Sequence, residues 1–357
     1  MNVIIIQETV PEYRLDLFDR LSREYGDTFC VYTSEQLRAA PWCHALGPVR
    51  VFGPIRWQSG VLQLVIRSED IVIVPGDPRC LTNFLLLVKA KWRGARTICW
   101  THFWSSTSKK IRAHIRWWIF SIADVLLFYT DKELESYRGT KWGRWRDRRA
   151  FAGALNNGLD CTAIRHLRKT YDLEARENRI AFIGRLTDKA QMPLLIQAMS
   201  MPSCHSLELH VIGSGENERD LRALASDLGV GNRIRWYGTV TEEREIAEVL
   251  NRCAAFVYPG AVGLSVVHAL AYGLPSVLHD RPDRHMPEVS AAIESTAAHF
   301  FKMGDSMMLS EAIHELLSNR GELVRMSKAA TNLTDRTYNT EDMTARFLSI
   351  ANRLASV

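Results

Sequence analysis

Short apolar runs alternate with amphipathic stretches along the whole chain, and the alternation reads as strands separated by helices. In the first half, apolar strands are predicted over 3–6, 29–32, 71–74, 97–100 and 125–129, with a return near Ala150. Helical periodicity falls between them, near 14–25, over 83–92 and across 109–123. The second half repeats the scheme. Strands over 179–183, 207–212, 234–237 and 254–258 are each followed by a helix: near 192–199, up to Leu228, around 242–252, and from Gly263 to Gly273. Further helices are expected over 310–317 and 340–354. Strands spaced by helices imply parallel sheets with crossover connections.

The run FVYPGAVGLSVVHALAYGLPSVL, residues 256–278, is the most informative segment. An apolar strand meets a Gly/Pro turn, a helix opens at Gly263, Leu264 and Ser265, and Pro275 restarts the chain as a second strand. Such a strand–loop–helix leaves backbone N–H groups uncapped at the helix N-terminus, a natural seat for an anion such as a diphosphate.

A chain of 357 residues suits two α/β domains. The divisions expected are 1–165, a charged linker at 166–178 without a strand signal, 179–338, and a last helix at 339–357 returning to the first domain. Hydrophobic residues at 46% and charged residues at 24% are ordinary for full cores. Seven scattered cysteines without a CxxC pair argue against a disulfide framework or zinc site and for a reducing cytoplasm. The N-terminus, MNVIIIQETVPEY, reads as a buried first strand rather than a signal peptide.

Net charge is +5, with much of the excess before residue 150. Two basic-aromatic stretches stand out: 109–118, carrying Lys109, Lys110, Arg112, Arg116, Trp117 and Trp118, and 138–149. Each reads either as a contact with an anionic membrane surface, giving a peripheral protein on the inner face of the plasma membrane, or as a solvated helix face and a basic loop. No motif accompanies the charge to make nucleic acid a partner.

The motifs IGRL at 183–186, VIGSGE at 211–216, YGTV at 237–240 and the 256–278 run occur in order with PEYR at 11–14, WTH at 100–102 and NNGLD at 156–160. In that order and spacing the chain resembles the retaining nucleotide-sugar glycosyltransferases of the GT-B fold, glycosyltransferase family 4. The resemblance implies two Rossmann-like parallel-sheet domains facing across a cleft, the first for acceptor and the second for donor. It also implies transfer of a sugar from a nucleoside diphosphate to a hydroxyl of a lipid-linked saccharide, in bacterial surface polysaccharide synthesis. No DxD acidic cluster is apparent, so a metal-independent reaction without a cofactor is expected.

Most members of that family carry two glutamates, eight positions apart, that grip the donor; here Gly260 and His268 stand there. The chain instead is similar to a bacterial subgroup with a PG-x-VGL block followed by H…MPE, supplied here by His279, Met286, Pro287 and Glu288. On the resemblance, Arg185 is the diphosphate-binding arginine, and Lys189 shares the charge from one position before the family's lysine. Gly184, Gly213, Gly215, Gly260, Val262, Gly263, Leu264, Ser265, His268 and Glu288 line the donor. Glu288 reads equally as a cap of the helix after it, Gly213 and Gly215 as a tight turn, and His268 as a satisfied helix histidine. His102 is placed near the reacting centre. Glu12, Arg14 and Asn157 fall on the acceptor side, where Arg14 either binds an acceptor phosphate or pairs with Glu12, and Asn157 either reaches the acceptor or forms an Asn-Gly turn. GSGENE lacks the third glycine of a dinucleotide fingerprint, which removes support for a dehydrogenase. Two other functions stay open: a nucleotide-sugar epimerase or hydrolase on the same scaffold, and a non-catalytic partner of a transferase.

Overall fold

The computed structural model describes residues 1–34, 40–103, 121–147, 151–176 and 178–356, which divide into two compact α/β units. The first comprises Met1–Asn157 with Thr340–Val357, the second Gly158–Asn339.

In the first unit the strands are β1 (Val3–Ile6), β2 (Phe29–Thr33), β3 (Cys43–Ala45), β4 (Val49–Phe52), β5 (Ile55–Gln58), β6 (Ile71–Pro75), β7 (Arg96–Trp100), β8 (Val125–Phe128) and β9 (Phe151–Ala154). Seven of them form one parallel sheet in the order β3-β2-β1-β6-β7-β8-β9. A parallel sheet needs cover on both faces, and the period of two along each strand supplies two apolar surfaces. Val3, Ile5, Val31 and Ile71 pack on one side with Met343 and Phe347 of the last helix, Thr340–Ala355. Ile4, Ile6, Val72 and Val74 pack on the other with Leu86 and Leu87 of the helix Leu81–Trp92. The last helix is tied down further by Thr340 Oγ1 donating to Asp16 at 2.5 Å and Arg346 pairing with Asp131 at 3.0 Å.

β4 and β5 form a separate antiparallel hairpin, which the strand pattern above leaves out. The alternation Val49-Arg50-Val51-Phe52, the turn Gly53-Pro54 and the alternation Ile55-Arg56-Trp57-Gln58 carry its signal. The stretch 109–118 lies outside the described residues. In the 138–149 stretch, Lys141–Arg146 is a short helix rather than a basic loop, and Arg146 turns inward to the carbonyls of Ala123 and Phe151.

The second unit has β10 (Arg179–Ile183), β11 (Glu208–Ile212), β12 (Ile234–Gly238), β13 (Ala255–Tyr258), β14 (Ser276–His279) and β15 (Ala298–Phe301). They form one parallel sheet in the order β12-β11-β10-β13-β14-β15 around a single core. The chain winds one way from β10 to β12, then reverses at the β10/β13 boundary. In sheets of this kind ligands bind in the crevice outside the carboxyl ends of the strands at such a reversal. The first sheet reverses in the same way between β1 and β6.

The boundary between the units falls at Asn157/Gly158, earlier than the linker expected at 166–178. One charge there misleads because it is buried. Arg176 is 1% exposed, lies over the Tyr171 ring, and donates to the carbonyls of Leu250 and Cys253, pinning this segment to the second unit.

Candidate functional site

In the second unit, β10 ends at Ile183 and the chain leaves through Gly184, Arg185 and Leu186. Arg185 is exposed and near enough to Tyr258, the last residue of β13, for its charge to act on that phenol. Burial raises the Tyr258 hydroxyl, and Arg185 works against that rise. Lys189 is exposed in the 3-10 turn Asp188–Ala190 that follows. Among the described residues, neither cation has a side-chain hydrogen bond or ion pair.

The loop after β13 docks on that turn. Ala261 N–H donates to the Lys189 carbonyl at 2.9 Å, and a Cβ on Gly260 would stand 2.0 Å from the same oxygen. Gly260 is therefore there for close backbone approach, and no glutamate fits on this backbone. Val262 is corrected from a donor contact to a core residue. Its side chain is buried, its N–H donates to His285 Nδ1 at 3.2 Å, and its carbonyl accepts from Met286 at 2.9 Å. His285 Nε2 faces the His279 carbonyl at 3.1 Å, and the two imidazoles stack 3.7 Å apart. Burial first, and the His279 ring second, hold His285 down to about 4, so it stays neutral and clamps the loop.

That clamp presents the N-terminus of the helix Leu264–Ala271. Its N-cap is Gly263, with no capping side chain, and Gly263, Leu264 and Ser265 are half-buried. The first N–H groups of the helix are thus left without a side-chain cap. Glu288 is not a side-chain cap of Val289–Glu294; its carboxylate lies 4.0 Å from the Cβ position of Gly263.

His268 takes the satisfied-histidine reading. Its Nε2 meets Glu243 Oε1 at 2.9 Å, and the Tyr272 hydroxyl donates to the same oxygen at 2.6 Å. Burial raises the Glu243 carboxyl, but His268 and Tyr272 outweigh it and hold it below its usual range. Gly213, at φ 134°, brings its loop against the Gly184 carbonyl, to which a Cβ would stand 1.9 Å away, and Gly215 does the same against Leu186. The loops after β10 and β11 are joined by Gly184 N–H on the Ile212 carbonyl and Leu186 N–H on the Ser214 carbonyl, while Gly213 N–H donates to Gly238 at the end of β12.

The first unit builds a second constellation at its own carboxyl edge. Arg14 is 2% exposed, does not pair with Glu12, and lies 3.8 Å over the Trp100 ring with Tyr129 and Tyr13 nearby. Glu12 is exposed and does not line the pocket beside Arg14. His102 stacks on Tyr129 at 3.7 Å and sits 3.7 Å from Glu133, beyond hydrogen-bond reach. Glu133 is itself engaged by the N–H groups of Phe103 and Tyr129, fixing the loop that carries His102. Asn157 is buried, with its N–H on the Tyr129 carbonyl, so it shapes this edge from beneath. The left-handed residue of NNGLD is Asn156, held on both sides by Asp131.

Residues that the motifs pass over complete this edge. Gln7, Arg56, Gln58 and Asn83 line a pocket of about 300 Å³ with Arg14 and Tyr129. Arg56 and Gln58 arrive on the β4–β5 hairpin, so their signal lay in an element the strand pattern omits. Among the described residues, no helix is long and apolar enough to cross a membrane, and no cluster of three His, Cys, Asp or Glu is placed to hold a metal.

Residues 164–333, just under half of the chain and lying in the second unit, match the family described as Glycosyl transferases group 1. No curated protein matches the chain by sequence. Among solved structures, a glycosyltransferase from Rickettsia africae shares 11% identity at a TM-score of 0.74, covering 99% of this chain and 98% of its own. HepE from Anabaena, in complex with UDP, shares 14% at 0.71 with both chains fully covered. Sucrose-phosphate synthase from Thermosynechococcus elongatus shares 14% at 0.67, with 99% of each covered. At such identities the likeness is one of fold: two Rossmann-like units, the GT-B fold.

Proposed function

We propose that this protein is a retaining hexosyltransferase of the family 4 type. It moves a sugar from a nucleoside diphosphate to a hydroxyl of a lipid-linked saccharide in bacterial surface polysaccharide synthesis. One observation carries the reading. Two cations without side-chain partners stand at the reversal point of a 3-2-1-4-5-6 sheet: Arg185, whose charge reaches Tyr258 at the end of β13, and Lys189, whose turn holds the loop that leads to an uncapped helix N-terminus. That sheet lies in the stretch that matches Glycosyl transferases group 1, and HepE, of the same fold, was crystallised with UDP and with UDP-glucose.

In the proposed step the acceptor oxygen bonds to the anomeric carbon as the bond from that carbon to the diphosphate breaks. The electron pair leaves with the diphosphate, which takes up the acceptor's proton. Charge on the diphosphate grows along this path. Arg185, Lys189 and the N–H groups of Leu264 and Ser265 therefore bind the transition state more tightly than the ground state. A guanidinium fork suits two phosphate oxygens, and with these cations in place no metal is required. Attack from the leaving group's own face keeps the configuration. Glu288, beside Gly263, accepts from a donor sugar hydroxyl, and His102 donates to the reacting sugar.

The exposed Val51, Phe52 and Ile55 at the hairpin tip, and Trp92 at 80% exposure, support contact of the first unit with a membrane surface that holds the acceptor. The test is to incubate the purified protein with UDP-, GDP- and dTDP-hexoses and saccharide acceptors. Acceptor-dependent release of nucleoside diphosphate is expected, and proton NMR of the product should show the donor's anomeric configuration. Release that ignores the acceptor would reject a transferase, and an inverted product would reject retention.

A further inference from the structure

The pocket of the first unit holds more unmet hydrogen-bonding capacity than a structural cavity needs. Arg14 Nη1, Gln58 Nε2, Asn83 Oδ1 and Gln7 Oε1 are all buried without a hydrogen-bond partner, and all four residues line it. Buried polar groups are normally satisfied, so four orphans around one pocket mark the place of an absent partner. The set mixes donors and acceptors. Three amides and aromatic rings suit hydroxyl groups, which both give and take hydrogen bonds.

Charge narrows the choice. Arg56 pairs with Glu8 and Asp77, and Arg79 pairs with Asp77 at 3.2 Å. Among the charged residues that line the pocket, Glu8, Asp77 and Arg56 are held in these ion pairs, and Arg14 is the one without an ionic partner among the described residues. Its guanidinium carbon lies 3.8 Å over the Trp100 ring, a cation–π contact, and its Nη1 is left to hydrogen-bond. A desolvated guanidinium with an unmet N–H gains most from an oxyanion.

We propose that this pocket binds a saccharide residue bearing one oxyanion, a carboxylate or a phosphate, with Arg14 on the anion and Gln7, Gln58 and Asn83 on hydroxyls. Resting on the transferase reading above, the occupant is the acceptor sugar, and the enzyme selects acidic acceptors. His102 shares the Tyr129 ring with Arg14, which sets it beside the bound sugar.

The full-length protein is titrated with methyl β-glucuronide, glucose 6-phosphate and methyl β-glucoside, following ligand saturation-transfer NMR and tryptophan fluorescence. At least one acidic probe should bind about tenfold or more tightly than the neutral one, and which of the two binds identifies carboxylate or phosphate. Arg14→Gln should remove the preference. Asn83→Asp, which puts a like charge in the pocket with little change of shape, should remove it too and carries the test if Arg14→Gln does not fold. UDP affinity, measured on the same samples, should not change in either variant. Equal binding of acidic and neutral probes by the wild type, or an unchanged preference in folded variants, would overturn the assignment. Failure of UDP, GDP and dTDP alike to bind would strike the transferase reading and leave the acidic-sugar pocket standing.

Discussion

Gly260 shows how a single position can mislead when read as chemistry. Set against the resembling family, it stands where a glutamate would grip the donor. Its Cβ position, 2.0 Å from the Lys189 carbonyl, shows that this backbone admits no side chain there. The same contact places the loop after β13 on the turn that carries Lys189. Gly260→Ala should therefore lower stability by about 1–3 kcal/mol, read as a fall in the urea midpoint, and should weaken nucleoside diphosphate binding in parallel. A variant with wild-type stability and binding would show that the loop has another way to sit. Arg185 and Lys189 were singled out by the resembling family's motif, and both are exposed after β10 without a side-chain partner among the described residues. Arg14 was left between an acceptor phosphate and a pair with Glu12, and its stack on Trp100 depends on a strand far along the chain.

The second-half elements were readable in advance because each strand is a continuous apolar run bounded by turn residues. Arg179–Ile183 is observed with the bounds expected from sequence. The hairpin β4–β5, strand β15 and the helix Arg320–Arg336 were not read, and their patterns explain why. β15 buries only its last residue fully, and the hairpin exposes its apolar tip, so neither presents a strong buried period. The His285 clamp was equally hidden, because it joins two loops 23 residues apart.

That clamp has a pH consequence. Native His285 stays neutral down to about 4, while the unfolded chain takes up its proton near the ordinary histidine value. Between about 4 and 6.5 the unfolded state then holds more protons, so stability rises with pH across that window and is flat above it. The contribution is on the order of 3 kcal/mol, lost progressively on acidification below the ordinary value. His279 adds in the same direction, since burial lowers it too. Urea midpoints from pH 4 to 8 should slope upward through this window, and His285→Gln should flatten the slope. An unchanged slope in the variant would remove His285 from the clamp.

For the molecule as a whole, fold and chemistry were legible to different depths. Alternating periods gave two α/β units, since parallel sheets demand apolar strands and amphipathic covers. The unit boundary was displaced because Arg176 is a buried charge in a segment that looks solvated. At this scale the membrane claim is also tested. Flotation with vesicles containing anionic lipid should recover the protein. Phe52→Ser with Trp92→Ser should reduce that recovery several-fold at 0.15 M salt, where charge attraction alone is screened beyond about 8 Å. No recovery with the vesicles would favour a freely diffusing acceptor, and recovery unchanged in the variant would remove Phe52 and Trp92 from the membrane contact.

The central claim is that the crevice between β10 and β13 holds the diphosphate of a nucleotide sugar. Calorimetric titration of UDP, GDP and dTDP into the wild type and Arg185→Ala tests it most directly. One nucleoside diphosphate should bind selectively, and the variant, still folded because Arg185 is exposed, should lose about tenfold or more of that affinity. No binding of any nucleoside diphosphate by the wild type, or equal binding by Arg185→Ala, would contradict the account.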